Sequence, residues 1–360
     1  MRLIRLTSEY IDELIDGSIG NRGPKLPPCA LTLGSFDGLH RGHQALIHAA
    51  QAARARLGLE AAAIWTFKQH PRLVLEKDPE PFLLTTWREK LSVLAELGCK
   101  TVVAADFCPQ LSRLDYRTFV ERFLVDYLGM KHLVAGCDTH LGHHRLGTVA
   151  TLGELGRELG FGLEVMDAVR DGQEIVSSSA IRAALAAGDP RRAARMLGRP
   201  YALWGQVVPG DGRGRTIGYP TANIEALDPM KLLPAGGVYA VRVSVPSDAA
   251  DPGSEGVLDR VAGTLPEVDR DGQLLSVDAQ DWTVFGGMLN FGHVPTFNPD
   301  GLAIARIEAH LLKFAGDLRG RIVKVDWVER LRPERKFSDV AELTAQLAKD
   351  ADAARDALAS

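Results

Sequence analysis

Two histidines, His40 and His43, stand three residues apart in the stretch Gly34–Ile47, GSFDGLHRGHQALI. Glycines flank them at Gly34, Gly38 and Gly42, and the apolar run CALTL leads in. Imidazoles and glycines at the start of a helix suit the handling of phosphate. A helix start presents unpaired N–H groups and the positive end of its dipole. Glycine lets backbone approach a bulky anion. Imidazoles at i and i+3 share one side of the first turn, where they can donate to phosphate oxygens as charge builds up. A lone His–Gly pair reads as an ordinary histidine at a turn; the whole string, directly after an apolar strand, points to a site.

Other candidates are weaker alone. Gly210–Ile224, GDGRGRTIGYPTANI, is a glycine-rich turn followed by a strand. No helix pattern and no G-K-[ST] follows, so it is neither a Rossmann fingerprint nor a P-loop. Ser177–Ser179 read as a helix N-cap as readily as phosphate ligands. In IARIEAHLL, Arg306, Glu308 and His310 share one face and Ile307, Ala309 and Leu311 the other. Glu308 by itself reads as a charged strand residue facing water. His140, His143 and His144 are too loosely spaced to suggest a metal centre.

The elements around these residues divide the chain. In the first half, CALTL, AAAIWTF, KTVVAADF, HLVAGC and LEVMDAV are continuous apolar runs separated by helical patterns such as HQALIHAAQAARARLGL and TTWREKLSVLAELG. That rhythm predicts a doubly wound parallel α/β domain whose ligands sit at the carboxyl ends of its strands. MRLIRLTSEYIDEL reads as a short amphipathic segment. IRAALAAGDPRRAARMLGRP predicts two short helices acting as a connector. The second half is strand-rich and predicts a small antiparallel barrel. A terminal helix follows, with Val340, Leu343, Leu347, Ala351 and Leu358 as its apolar stripe. Pro246–Gln280, poor in aromatics, reads as a surface insertion.

Composition sets outer bounds. A chain of 360 residues predicts two domains. A net charge of −4 argues against a basic nucleic-acid-binding face. No stretch approaches the roughly 20 apolar residues of a membrane helix, and no leader pattern is visible. Cys29, Cys99, Cys108 and Cys137 form no C-x-x-C pair, so the expectation is free thiols in a reducing cytoplasm.

GSFDGLHRGH resembles the nucleotidyltransferase signature, and its surroundings narrow the resemblance to the bacterial bifunctional riboflavin kinase/FAD synthetase family. TFKQHP (Thr66–Pro71) and VSSSAIR (Val176–Arg182) match that family's later adenylylating motifs, and GYPTAN its riboflavin kinase signature. LNFGHVPTF and the segment from Ile307 to Phe337 match its kinase half. The resemblance implies residues 1–186 as an FMN adenylyltransferase domain and 187–360 as a riboflavin kinase domain. It implies ATP binding by Gly34, Phe36, Asp37, Gly38, His40, His43, Ser177, Ser178 and Arg182 in the first, and by Gly214, Thr221 and Asn223 in the second. Thr221 and Asn223 would also hold Mg²⁺. Glu308 is implied as the kinase base, with His40 and His43 as the catalytic pair of the other reaction. Phe67, His70, Asp138, Arg332, Glu334 and Phe337 are implied flavin contacts. Riboflavin, FMN, FAD and ATP are the implied small molecules, with no nucleic acid or membrane, in a cytoplasmic monomer or weak homo-oligomer. Two departures stand out: Thr139 and Leu141 replace aromatics that the family carries after Asp138, predicting a weaker flavin contact, and Arg319 stands where an aromatic is common.

Overall fold

A computed structural model describes residues 1–18, 25–210, 212–251, 254–264, 267–268, 274–276, 279–297 and 303–359. By its contacts the chain forms two compact units, one built on Met1–Ser178 and one on Ser179–Thr264 with Ala279–Ser360.

Six parallel strands make the first unit: β1 (Arg2–Leu6), β2 (Cys29–Leu33), β3 (Ala61–Phe67), β4 (Thr101–Ala105), β5 (Met130–Gly136) and β6 (Gly162–Met166). Their order is β1-β4-β3-β2-β5-β6. From β2 the chain winds one way through β3 and β4; from β5 it winds the other way to β6. The β2/β5 boundary is therefore the switch point, where a crevice opens at the strand ends. Helices α1 (Ser8–Asp16), α2 (Arg41–Arg56), α3 (Trp87–Glu96) and α4 (Val149–Leu159) cover the sheet, with a π-helical turn at Phe119–Tyr127. Successive residues of each strand serve opposite faces. Leu31, Trp65, Val103 and Leu133 pack with Phe119 and Phe123 on one side. Ile64 and Val102 pack with Phe36, Leu39 and Ile47 on the other. This is why the central strands read as unbroken apolar runs. α3 starts at a capping box, Thr86 with Glu89, and Gly98 just beyond its end is left-handed at φ +71.

The second unit takes in α5 (Ser178–Ala186) from its second residue on, and α6 (Pro190–Leu197), capped by Asp189. Its sheet comprises β7 (Tyr201–Val208), β8 (Ala222–Ala226), β9 (Gly237–Pro246), β10 (Val257–Thr264), β11 (Ala279–Phe297), β12 (Ala303–Leu311) and β13 (Ile322–Arg332). The order is β9-β13-β7-β8-β12-β11-β10, and a further β9–β11 pairing closes six of them into an antiparallel barrel. Tyr201, Leu203, Val241, Val243, Phe285, Val325 and Trp327 fill the core. Helix α7 (Val340–Ala359) closes on the barrel through Ala351, Ala354 and Ala357 against Ala240 and Met288.

Several expectations change. The opening amphipathic segment is a strand, then a helix: Arg2–Leu6 lies along β4 at the sheet edge, and Thr7 caps α1. β6, at the other edge, is only half-buried. The connector is part of the second unit, since α6 packs on β7 and β13 and buries Ala193, Met196 and Leu197. Within Pro246–Gln280, Val257–Thr264 forms an added strand on β11, while 252–253, 265–266, 269–273 and 277–278 lie outside the described residues. Val340 is 62% exposed. The rest of the stripe holds in part, with Ala351 buried and Leu347 and Leu358 packed beside it; Asp350, Ala354 and Ala357 join them, and small side chains allow close approach. The cysteines are free; Cys29, Cys99 and Cys108 are buried and Cys137 is exposed. Burial pushes the Cys29 and Cys99 thiols up to about 12. Among the described residues no helix is long and apolar enough to cross a membrane.

Candidate active sites

The turn from β2 into α2 is an unusual piece of backbone. Phe36 (φ +48), Gly38 (φ +83) and Leu39 (φ +44) all lie in the left-handed region. Non-glycine residues there persist only when their surroundings fix them. Phe36 and Leu39 are fully buried. The Asp37 carboxylate accepts from the backbone N–H groups of Leu84 (2.9 Å) and Thr85 (3.0 Å), and Gly38 N–H donates to Thr85 Oγ1 (3.0 Å). Ser178 Oγ donates to the Asp37 carbonyl (2.9 Å). The turn so held places His40 at the N-cap of α2, where its Nδ1 accepts from the His43 N–H (3.4 Å). The two imidazoles stack, with centroids 3.6 Å apart and planes 18° from parallel. A Cβ on Gly42 would meet the His40 ring at 3.2 Å, so a side chain there would press on the stacked pair.

A cavity of about 580 Å³ opens here, walled by Leu33, Phe67, Gly136 and Met166 at the carboxyl ends of β2, β3, β5 and β6. Gly34, Phe36, His40, His43, Phe67, Asp138, Ser177 and Ser178 converge on it. Asp37, Gly38, His70 and Arg182 do not line it. Asp37 and Gly38 engage Leu84 and Thr85 instead. His70 Nδ1 accepts from the Arg72 N–H (3.2 Å), and its ring meets Phe82 edge-on. Arg182 lies one turn beyond Ser178 on α5. Thr139 and Leu141 form part of the wall, and so do Phe107 and Phe119, which the sequence reading missed. Phe107 stacks edge-to-face on Phe67 at 5.3 Å. No local motif marks it; it reaches the cavity only because β4 lies beside β3. Among the described residues no three His, Cys, Asp or Glu side chains gather as a metal cluster.

Two cavities meet in the barrel. One, about 670 Å³, is lined by Val208, Gly210, Gly212, Arg215, Thr221, Asn223 and Arg319 among others. The second, about 240 Å³, is lined by Gly214, Tyr219, Thr221, Asn290, Glu308, His310, Arg332, Glu334, Phe337 and Asp350. Thr221 borders both. The register explains the juxtaposition: Glu308 on β12 lies opposite Asn223 on β8 and Asn290 on β11. Ile307, Ala309 and Leu311 are buried while Glu308 and His310 are half-buried, as the alternation predicts. The GDGRGRT turn contains one helical turn, Arg213–Thr216, before β8. A Cβ on Gly210 would run into the Asn223 carboxamide, and one on Gly214 into the Tyr219 carbonyl. Both glycines therefore leave room for backbone to fold against the oxygen-bearing Thr221–Asn223 segment, a donor set suited to a hard cation.

The smaller cavity has a cationic, aromatic rim. Arg332 donates to Asp350 from Nε (2.9 Å) and Nη2 (2.7 Å), and its guanidinium lies 5.6 Å from the Phe337 ring. Asp350 is 3% exposed, so this carboxylate on α7 fixes the arginine that borders the cavity. Sequence reading missed it because it falls in a helical stripe that otherwise looks apolar. His310 Nδ1 lies 2.8 Å from the Pro220 carbonyl, which can only accept, so Nδ1 carries the proton. Burial holds this imidazole below its usual range. Arg319 is mostly exposed and paired with Asp317.

Residues 23–180 match the family model described as FAD synthetase, and residues 197–358 the one described as riboflavin kinase. The bifunctional riboflavin kinase/FMN adenylyltransferase of Escherichia coli K12 is 34% identical over 328 residues, covering 91% of this chain and 92% of that one. The Bacillus subtilis protein of the same description is 32% identical over 321 residues, covering 89% of each. That of Pseudomonas fluorescens is 33% identical over 343 residues, covering 95% and 97%. A solved structure from Streptococcus pneumoniae, titled a macrolide-efflux protein, matches with a TM-score of 0.75 at 27% identity, covering 98% of this chain and 99% of that one. The whole-length matches to curated relatives and the two models in sequence place the chain in the bifunctional riboflavin kinase/FMN adenylyltransferase family.

Proposed function

We propose a division of labour between the cavities in an enzyme that phosphorylates riboflavin to FMN and adenylylates FMN to FAD. The adenylylating half is residues 1–186 and the kinase half 187–360. In adenylylation an FMN phosphate oxygen attacks the α-phosphorus of ATP, and the bond to pyrophosphate breaks. The nucleophile is already an anion, so positioning and charge neutralisation carry the step. His40 and His43 donate to the phosphates at the N-terminus of α2; Gly34, Phe36, Ser177 and Ser178 complete the nucleotide site. Asp37 and Gly38 shape it from behind. Phe67 and Asp138 face the flavin, and His70 braces the adjoining turn.

In phosphorylation the riboflavin 5′-hydroxyl attacks the γ-phosphorus of ATP, and the bond to the leaving ADP breaks. Glu308 takes the hydroxyl proton. The larger barrel cavity takes the nucleotide and the smaller one the flavin, under Arg332, Glu334 and Phe337. Thr221 and Asn223 would hold Mg²⁺, which neutralises phosphate charge when bound with ATP; Gly214 lets the backbone wrap. The enzyme acts in the cytoplasm as a monomer or weak homo-oligomer on small molecules alone, with no nucleic-acid or membrane partner.

One observation supports this division above the rest: each unit holds its own cavity system bordered by phosphate-suited groups. Incubation with riboflavin and MgATP, followed by separation of the flavins, tests it. FMN and FAD are both expected. FMN without FAD, including when FMN is supplied directly, rejects the role of the first cavity; no FMN rejects that of the second.

A further inference from the structure

Lys90, on α3, carries a charge that the two reactions leave unused. It is 4% exposed. Lysine is almost never so buried without a carboxylate partner, because desolvating an ammonium costs several kcal/mol. Burial draws its proton affinity down to about 8, with Asp37 acting the other way. Yet its Nζ donates to three oxygens, none of them a carboxylate: Ser35 O (2.7 Å), Phe67 O (3.2 Å) and Thr66 Oγ1 (3.3 Å). An ammonium has three N–H donors, and here each has an acceptor. Those acceptors sit on the two segments that wall the first cavity, the turn leaving β2 and the carboxyl end of β3. Thr66 Oγ1 in turn donates to Ser35 O (3.3 Å), and Gly34 N–H to the Trp65 carbonyl (3.1 Å). The left-handed residues Phe36, Gly38 and Leu39 follow directly, and His40 after them.

We propose that Lys90 is a positioning residue for FAD formation, an ammonium clamp that ties Ser35 to Phe67 and so fixes the turn that presents His40, His43 and the first amides of α2. The inference rests on reading the first cavity as the adenylylating site. A clamp of this kind acts on geometry at the reacting centre, where displacements near 1 Å cost on the order of 100-fold in rate. It acts little on overall substrate binding.

The test uses the full chain, with FMN and MgATP for one reaction and riboflavin and MgATP for the other. Wild-type protein that forms no FAD would sink the reading of the cavity, whatever Lys90 does. With FAD forming, Lys90→Met is expected to lower its kcat about 30-fold. KM for ATP and for FMN should move less than about threefold, because ground-state binding is largely kept. The kinase rate should stay within about twofold, reporting a folded chain, since its groups lie elsewhere. Lys90→Arg keeps charge and donors and should recover at least about fivefold over the methionine variant. Thr66→Val removes one acceptor at nearly constant volume and should lower kcat about three- to tenfold, which carries the test if Lys90→Met does not fold. A folded Lys90→Met or Thr66→Val enzyme with wild-type kcat for FAD overturns the proposal, as does a folded Lys90→Arg enzyme as slow as the methionine one.

Discussion

On the proposed division of labour, the two units meet the same problem, a triphosphate beside a flavin, with opposite materials. The first uses main chain: a strained turn and a helix start at the switch point of a parallel sheet supply fixed N–H groups, and two stacked imidazoles finish the site. The second uses side chains set by strand register, Asn223, Glu308 and Asn290 side by side across three antiparallel strands. The parallel sheet concentrates its chemistry in one short loop; the barrel spreads it over residues far apart in sequence. A backbone site should therefore resist single side-chain changes better than a register site.

The sharpest way to break this comparison is Glu308→Gln. Removing a positioned base costs about 100- to 10,000-fold, so riboflavin phosphorylation should fall by about three orders of magnitude. FAD formation from added FMN should be unchanged. A kinase rate within tenfold of wild type, with riboflavin still bound, removes Glu308 as the base. His40→Ala and His43→Ala should each lower FAD formation about 100-fold, by analogy with loss of one charge-stabilising donor, and leave the kinase untouched. If either loss exceeded that of Glu308→Gln, the backbone amides would contribute less than argued.

The same contrast governs what could be read before folding. The turn Gly34–His40 was legible because its chemistry is local: a strand end, glycines and a helix start lie within a dozen residues. The parallel sheet was legible for a related reason, since strands covered on both faces must be apolar throughout. Glu308 beside Asn223 was not legible from spacing, because register across a closed barrel depends on every intervening turn; only the family resemblance linked them. Phe107, Lys90 and Asp350 escaped altogether. Phe107 depends on which strands are neighbours. Lys90 and Asp350 are charged residues inside helical stripes, where a sequence pattern assigns them to solvent. Val340 failed in the opposite sense, an apolar residue on the stripe that stays exposed.

A prediction of middle size concerns the barrel rim. Asp350→Ala leaves the Arg332 guanidinium without its buried partner, which should cost on the order of 3 kcal/mol of stability in the second unit, seen in denaturant unfolding. Freed from Asp350, the Arg332 guanidinium is no longer fixed at the cavity rim, so KM for riboflavin should rise about tenfold while kcat changes less. FAD formation from FMN should keep its rate. Unchanged KM for riboflavin in a folded Asp350→Ala enzyme would show that the rim is set by β13 alone.

The smallest expected effect sharpens the comparison at the flavin wall of the first cavity. Thr139 and Leu141 stand where aromatics were expected, but Phe67, Phe107 and Phe119 already line that cavity. Leu141 is also tied down: its backbone bridges Gly147 in both directions (3.0 and 2.9 Å), and a Cβ on Gly147 would meet Leu141 and Tyr116 below 3 Å. A phenylalanine at 141 gains ring surface but must displace packed neighbours, at about 1–3 kcal/mol for overpacking. Thr139→Phe with Leu141→Phe should therefore change FAD formation less than about threefold, since the added stacking of roughly 0.5–1.5 kcal/mol is offset. Phe107→Ala, by contrast, removes a wall that already exists and should raise KM for FMN about tenfold. If the double phenylalanine variant instead raised FAD output tenfold, the aromatic wall would be incomplete as it stands. The first site would then depend on side chains about as heavily as the second, and the contrast between a backbone site and a register site would narrow to the phosphates alone.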